Sequence, residues 1–77
     1  MKVQLKLIAT YQEFLPPKNN GKAEIDVPEG TTAVSVLADL GVPIDESVIL
    51  VDGRSPNPGD TLQEGNVVFA FPAMAGG

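Results

Sequence analysis

The chain of 77 residues contains no cysteine, histidine or tryptophan. Without cysteine, no disulfide can supplement the core. Without histidine, the chain lacks the commonest general base and the usual zinc ligand. A domain this small buries only about 60% of the surface that its unfolded chain exposes. The sequence therefore predicts one domain that depends on a single apolar core and has little volume for an enclosed active site.

Basic residues are also scarce: there are five, against ten acidic residues, and the formal charge is −5. The basic residues are scattered, whereas nucleic-acid binding depends on clustered Lys and Arg. No segment approaches the ~20 apolar residues of a membrane span, and no signal-peptide pattern follows Met1. We therefore expect no nucleic acid, no membrane and a cytoplasmic location. The acidic surface suits a basic protein partner, or it serves solubility alone.

Two strands are predicted in the first third of the chain. Apolar residues occupy every second position in both segments (Val3, Leu5, Leu7 and Ala9; then Ala23, Ile25 and Val27). A period of two is typical of half-buried strands. Residues 12–21 between them are rich in Pro, Asn and Gly, which is turn chemistry. An antiparallel hairpin with a long loop is the simplest connection.

One short helix is predicted from about Thr32 to Leu40. Thr31 or Thr32 can cap its start, Gly41 suits the left-handed position after its end, and Pro43 prevents its continuation. Apolar runs at 48–51 and 67–71 predict two further strands, with a brief strand or an anchor at 61–62. Pro72 should end the last strand because it has no amide hydrogen.

The order of these elements favours an α+β fold with one main helix packed on one face of a mixed four- to five-stranded sheet. A ubiquitin-like β-grasp is the economical arrangement, with the last strand parallel to the first in the middle of the sheet. The prediction is a β-grasp domain over residues 1–72 and a flexible tail over residues 73–77.

The last strand has large residues on one side and small ones on the other. Because Val68 and Ala70 fit under a close-packed helix, we assign them to the core. Phe69 and Phe71 then lie on the open face with Leu50, and with Ile8 as a further candidate. An exposed apolar patch of this kind predicts a protein partner. The alternative is the reversed register, in which the phenylalanines are buried.

The chain ends in Gly76 and Gly77, two residues without side chains that can pass through a narrow channel. Five residues follow Pro72 and reach roughly 16 Å when extended. A carboxylate at the tip is a poor electrophile until it is activated, and the chain has no phosphate-binding loop of its own. Activation would therefore have to come from another protein.

The sequence resembles the MoaD/ThiS family of sulfur carriers, relatives of ubiquitin, along its whole length. The segments that carry the resemblance are PEGTT before the helix, VDGR, LQEGNVVFAFP and the terminal AGG. The stretch around Phe69 to Pro72 is closer to the MoaD branch. The chain departs from that branch at Ala73 and Met74, where many MoaD-like tails carry Pro and then Val.

The resemblance implies a reaction cycle. A MoeB/ThiF-like enzyme adenylates Gly77 with ATP and magnesium, and sulfur then converts it to a thiocarboxylate. The acceptor is the large subunit of molybdopterin synthase in the MoaD branch and thiazole synthase in the ThiS branch. It also implies partner contacts at Phe69, Phe71 and Pro72, with Met74 along the path of the tail and Gly76 beside the reactive Gly77. Leu50 is predicted as a further partner contact because it shares the open face. The carrier itself is expected to bind no cofactor and no metal.

Two other functions fit the same residues. A ubiquitin-like modifier would use an adenylated Gly77 to form an isopeptide bond with a lysine. A plain interaction domain would not use the glycines at all. An independent enzyme is disfavoured because the carboxylates are predicted to be solvated or capping charges without a defensible pairing (Asp39, Asp45, Glu46, Asp52 and Asp60).

Overall fold

The computed structural model describes residues 1–73. Its strands are β1 (Lys2–Leu7), β2 (Lys22–Asp26), β3 (Ser47–Val51) and β4 (Val67–Pro72), and its α-helix is α1 (Ala33–Leu40). Three short 3-10 helices span Ala9–Phe14, Pro17–Asn19 and Ile44–Glu46. Most of the predicted tail, residues 74–77, lies outside the described residues, so the division into domain and tail stays a prediction. No helix within residues 1–73 is long and apolar enough to cross a bilayer.

The four strands form one mixed sheet in the order β2-β1-β4-β3. β4 lies parallel to β1, while the β1–β2 and β3–β4 pairs are antiparallel. The predicted β-grasp topology, with the last strand beside the first in the middle of the sheet, is confirmed. Residues 61–62 form no strand. Instead Leu62 is buried and its amide donates to the Thr31 carbonyl over 2.8 Å, so the segment is an anchor.

The helix begins and ends as its flanking residues predict. The Thr32 hydroxyl accepts a hydrogen bond from the Ser35 amide at 3.2 Å, and Gly41 follows the helix in the left-handed region at φ 94°. Because a helix of eight residues is too short to be stable alone, it depends on packing. It buries Ala33, Val36 and Leu37.

The core lies between α1 and one face of the sheet. Val68 and Ala70 of β4 are completely buried there, which confirms their assignment to the core. They pack in one cluster with the buried residues of β1 and with Leu37 of α1 (Val3, Leu5 and Leu7). The small side chains at the centre of the sheet allow the helix to approach closely, and buried residues of the connecting segments add to the cover (Tyr11, Val42 and Leu62).

The segment after β1 differs from the prediction. The first strand ends at Leu7, and Ala9 turns the chain with a left-handed φ of 57° instead of extending the strand. The predicted loop contains two 3-10 helices. Tyr11 is buried in the first of them, with its ring edge-on to Phe14 at 5.5 Å. Burial of these aromatic rings overrides the loop-forming residues around them.

Gly21 is required where the chain enters β2. Its φ is 77°, its carbonyl accepts a hydrogen bond from the Leu7 amide at 2.6 Å, and an added Cβ would collide with the Leu7 carbonyl oxygen. We expect Gly21→Ala to lower the free energy of unfolding by about 1–3 kcal/mol. Urea denaturation at constant m-value measures the change.

Gly59→Ala is the matched control for this prediction. Gly59 has a similar φ of 87°, but nothing lies within 4 Å of the position that a Cβ would take. It therefore carries the same backbone strain without the collision, and it should cost less than Gly21→Ala. Equal losses in the two variants would show that the contact with Leu7 has no energetic effect.

Candidate functional site

The sheet face opposite α1, here called the open face, carries a cluster of apolar side chains. On β3 and β4, Val48 lies opposite Phe71 and Leu50 lies opposite Phe69. Val67 lies on the same face because strand residues alternate between faces. These five residues are the apolar patch (Val48, Leu50, Val67, Phe69 and Phe71). All are half-buried and none belongs to the core cluster.

The register of β4 thus places the phenylalanines away from the helix, and the alternative with buried phenylalanines is wrong. Direct cross-strand neighbours in an antiparallel pair have Cβ atoms about 4.5–5.5 Å apart, close enough for large side chains to shield one another. This shielding explains why the patch is half-buried without a second layer. Ile8, the further candidate, follows β1 and is 41% exposed.

The other half of the open face is charged. β1 and β2 present alternating polar residues there (Lys2, Gln4, Lys6, Lys22, Glu24 and Asp26). The Lys6 ammonium lies 5.3 Å from the centre of the Phe69 ring, a cation–π contact worth about 0.5–1 kcal/mol at an exposed position. The apolar patch therefore has a positive charge along its β1 border.

Hydrogen bonds fix the beginning of β4. Asp52 and Gly53 form a two-residue turn with φ of 52° and 83°. The Asp52 carboxylate accepts from the Val67 amide at 2.9 Å and from the Asn66 side-chain amide at 2.6 Å. Asp60 similarly accepts from the Asn57 amide at 3.0 Å. The prediction of capping charges is confirmed for Asp52 and Asp60.

The end of β4 is fixed as well. Pro72 is the last residue of the strand, as predicted, and lies opposite Ser47. The Ala73 amide donates to the Glu46 carbonyl at 2.8 Å. Tyr11 shares a 2.7 Å hydrogen bond with the Ser47 hydroxyl, which itself donates to the Pro43 carbonyl at 2.6 Å. The chain thus leaves the sheet from an anchored point next to Phe71.

The predicted site residues divide into two groups. Leu50, Phe69, Phe71 and Pro72 lie together at the β3–β4 side of the sheet, whereas Met74, Gly76 and Gly77 lie outside the described residues. Within residues 1–73, no three or more Asp or Glu side chains group so as to hold a metal ion. The apolar patch, with its two phenylalanines, is the part of the described surface that suits a protein partner.

Sequence reasoning missed several parts of this surface. Val48 follows the same alternation as Leu50, so the period of two in β3 was a usable signal. The alternation of the last strand places Val67 on the face of the phenylalanines, but Val67 was not counted among the predicted partner contacts. The contact of Lys6 with Phe69 could not be found in this way, because it depends on the parallel register of β1 and β4.

Comparison with known proteins gives one family match and several structural likenesses. The model of the family described as Mut7-C ubiquitin matches residues 1–76. No curated protein sequence matches the chain significantly.

Three solved structures share the fold. The first is a Pyrococcus furiosus protein provisionally described as molybdopterin converting factor, subunit 1 (TM-score 0.73, 22% identity, 95% of this chain and 98% of that one). The second is SAMP1 from Haloferax volcanii (TM-score 0.73, 20% identity, all of both chains). The third is the Haloferax volcanii HVO 2177 protein (TM-score 0.75, 23% identity, 100% of this chain and 87% of that one). At these identities the likeness shows the fold, and the predicted ubiquitin-like β-grasp is confirmed.

Proposed function

The chain belongs to the Mut7-C ubiquitin family, and from this premise we propose that it is a ubiquitin-like sulfur carrier that acts through Gly77. The observation that carries the proposal is the anchored end of β4. The Ala73 amide is hydrogen-bonded to Glu46 at the end of the 3-10 helix before β3, so four residues follow a fixed point and the last two of them are glycines. Four residues reach about 13 Å when extended, enough to enter a channel in a partner enzyme.

The proposed chemistry has two steps. The Gly77 carboxylate attacks the α-phosphorus of ATP in the partner, pyrophosphate leaves, and an acyl-adenylate forms. A hydrosulfide or an equivalent sulfur nucleophile then attacks the acyl carbon, AMP leaves, and a thiocarboxylate remains. The partner, a MoeB/ThiF-like adenylating enzyme, supplies the ATP site and magnesium. This chain supplies the acyl group and the surface that the enzyme recognises.

The apolar patch is the proposed docking surface for that enzyme. Aromatic residues that are buried in the centre of an interface contribute disproportionately to binding energy. Phe69 and Phe71 lie on the strand that leads into the tail, with Leu50 beside them and Pro72 at its end. Docking through the patch would therefore orient the tail, with Met74 along its path and Gly76 beside the reactive carboxylate.

The proposed pathway is molybdopterin biosynthesis, with the large subunit of molybdopterin synthase as sulfur acceptor. Two points support it: the resemblance of the Phe69–Pro72 stretch to the MoaD branch, and the name given to the Pyrococcus furiosus structural neighbour. Transfer to thiazole synthase and conjugation to a lysine begin from the same adenylate. The acceptor that consumes the activated Gly77 distinguishes these outcomes.

Intact mass spectrometry tests the proposal directly. The protein is incubated with a MoeB-type enzyme, ATP, magnesium and sulfide. We expect a mass gain that corresponds to replacement of one oxygen by sulfur, with fragmentation placing it on Gly77. The mass of protein isolated from cells checks the premise that Gly77 is the C-terminal residue of the mature protein.

The control reactions omit ATP or sulfide. Without sulfide the acyl-adenylate should be trapped as a hydroxamate by added hydroxylamine. If neither adduct forms with an enzyme that is active on its own carrier, and none forms with the adenylating enzymes of the source cell, the carrier function is refuted. A mass increase equal to a whole protein, released from a lysine by an isopeptidase, would identify a modifier.

A further inference from the structure

The outer edge of β2 has unpaired backbone groups. In an antiparallel pair, residues alternate between bonding the neighbouring strand and pointing away from it. Met1 and Val27 exchange both of their hydrogen bonds, and the Leu7 amide bonds the Gly21 carbonyl. Ala23 and Ile25 therefore bond β1, and Lys22, Glu24 and Asp26 direct their backbone groups outward. No other hydrogen bond among residues 1–73 uses these outward groups.

The opposite edge of the sheet is different. On β3 the outward groups of Val51 pair with Arg54 in both directions, at 2.8 and 3.0 Å. The Ser47 amide bonds the Ile44 carbonyl. Among residues 1–73, the groups on this edge that are left for another strand are those of Ile49 and the Ser47 carbonyl. β2 also contains neither a proline nor a bulge that would block pairing. Of the two edges, β2 is the one that can accept a strand.

An apolar groove runs beside this edge, between β2 and α1. Four of its lining side chains are only half-buried although they contact the core (Leu15, Ile25, Val27 and Leu40). A strand added to β2 would direct every second side chain into this groove. Apolar residues at those alternate positions would complete the cover of the core at this edge.

The rim of the groove is acidic. Asp26 and Asp39 line it, and Glu24 and Asp26 are two of the three charged residues that β2 presents on the open face. Glu24 has an ion-pair neighbour, Lys2, at 4.0 Å, but its side chain remains 59% exposed. The whole chain has a charge of −5. A strand opposite this edge is therefore favoured when its remaining side chains are basic.

We infer that the β2 edge and the adjoining groove bind an extended basic peptide segment in which apolar residues alternate with Lys or Arg. The segment adds to the sheet as a fifth strand beside β2. Its backbone bonds Lys22, Glu24 and Asp26, its apolar side chains fill the groove, and its cations lie on the open face near Glu24 and Asp26. This surface involves neither Gly77 nor the apolar patch, so it is independent of the proposed sulfur chemistry.

The probe is the capped peptide Lys-Ile-Lys-Ile-Lys-Ile-Lys, titrated into isotopically labelled full-length protein. Binding should slow hydrogen exchange of the Lys22, Glu24 and Asp26 amides and shift their NMR signals, with smaller changes at Ser47 and Ile49. A peptide of equal composition, Lys-Lys-Ile-Ile-Ile-Lys-Lys, should bind at least about tenfold more weakly. As a strand it cannot place its isoleucines on one face and its lysines on the other. Equal binding of the two peptides would refute strand addition.

Backbone methylation of the peptide gives a second test. If the peptide adds antiparallel to β2, its lysine amides bond the edge; if it adds parallel, its isoleucine amides do. Methylation of either the lysine amides or the isoleucine amides of the peptide must therefore abolish binding. If neither set matters, or if the slowed amides belong to β3 or to the open face, the inference is wrong.

A pair of variants tests the charge argument. Asp26→Asn should weaken peptide binding about two- to fivefold at low salt, as expected for loss of one exposed ion pair, since the change leaves the backbone of Asp26 in place. Glu29→Gln removes an exposed carboxylate in the turn before α1 and should leave binding unchanged. Equal effects of the two variants would show that the peptide responds only to the net charge of the protein. The proposed site at the β2 edge would then be refuted. Protection of the β2 amides that rises with protein concentration, without peptide, would identify a second copy as the occupant and refute the peptide.

Discussion

A tryptophan added after Gly77 should abolish thiocarboxylate formation while the domain stays folded. The extension moves the carboxylate by about 3.3 Å and places a bulky ring where the proposal requires a slender glycine pair. A misplacement of 1 Å can cost about 100-fold in rate, so we expect at least that loss. Intact mass spectrometry of the sulfide reaction measures the yield.

Two further variants separate length from bulk in this prediction. A single glycine after Gly77 moves the carboxylate without adding bulk, and it should also lower the yield strongly. Glu29→Trp adds the same ring at an exposed turn and should react as the parent protein does. Thermal denaturation of all variants verifies the fold. Normal yield from the tryptophan variant, with its extension shown to be intact by mass, would rule out Gly77 as the reactive residue.

Phe69→Ala should raise the KM of the adenylating enzyme for this protein about 30-fold or more, with little change in kcat. Phe69 lies at the centre of the apolar patch, between Leu50 on β3 and Lys6 on β1. Loss of a central aromatic anchor typically costs at least about 2 kcal/mol of binding energy. Because Phe69 precedes the reacting Gly77 by eight residues in the chain, this loss should affect binding and not the chemical step. Steady-state kinetics with the protein as the varied substrate separates the two parameters.

Lys22→Ala is the matched control for Phe69→Ala. Lys22 belongs to the same cross-strand row of the open face, beyond Lys6, but lies outside the apolar patch. Its loss should leave KM nearly unchanged, since exposed charges contribute little to binding energy. An unchanged KM for Phe69→Ala would show that the enzyme docks elsewhere. Equal increases in both variants would point to a general effect on the sheet.

Much of the fold follows from local patterns in the sequence. The period of two in the first two strands, the Thr and Gly residues around α1 and the Asp52-Gly53 turn each depend on neighbouring residues only. With one helix available, just one sheet face can be covered, which restricts the topology to a few arrangements. The small pair Val68 and Ala70 then indicates the covered face of β4, and the structure confirms it.

The features that the sequence did not predict depend on contacts between distant segments of the chain. Tyr11 stands among loop-forming residues, and only its packing against Phe14 and its bond to Ser47 make that loop part of the structured domain. Ala9 pairs with no strand because the chain turns there with a left-handed φ.

The sequence by itself determined the class of fold, the alternation of the first two strands and the glycine pair on which the proposed function rests. These depend on residue types and short periods, which act locally. Only the tertiary structure decided the register of β4 between β1 and β3, and with it the extent of the apolar patch and its Lys6 border. It also decided that β2 is the unprotected edge of the sheet. Pairing of strands that are more than 60 residues apart in the chain is set by the packing of the whole core, which no local pattern encodes.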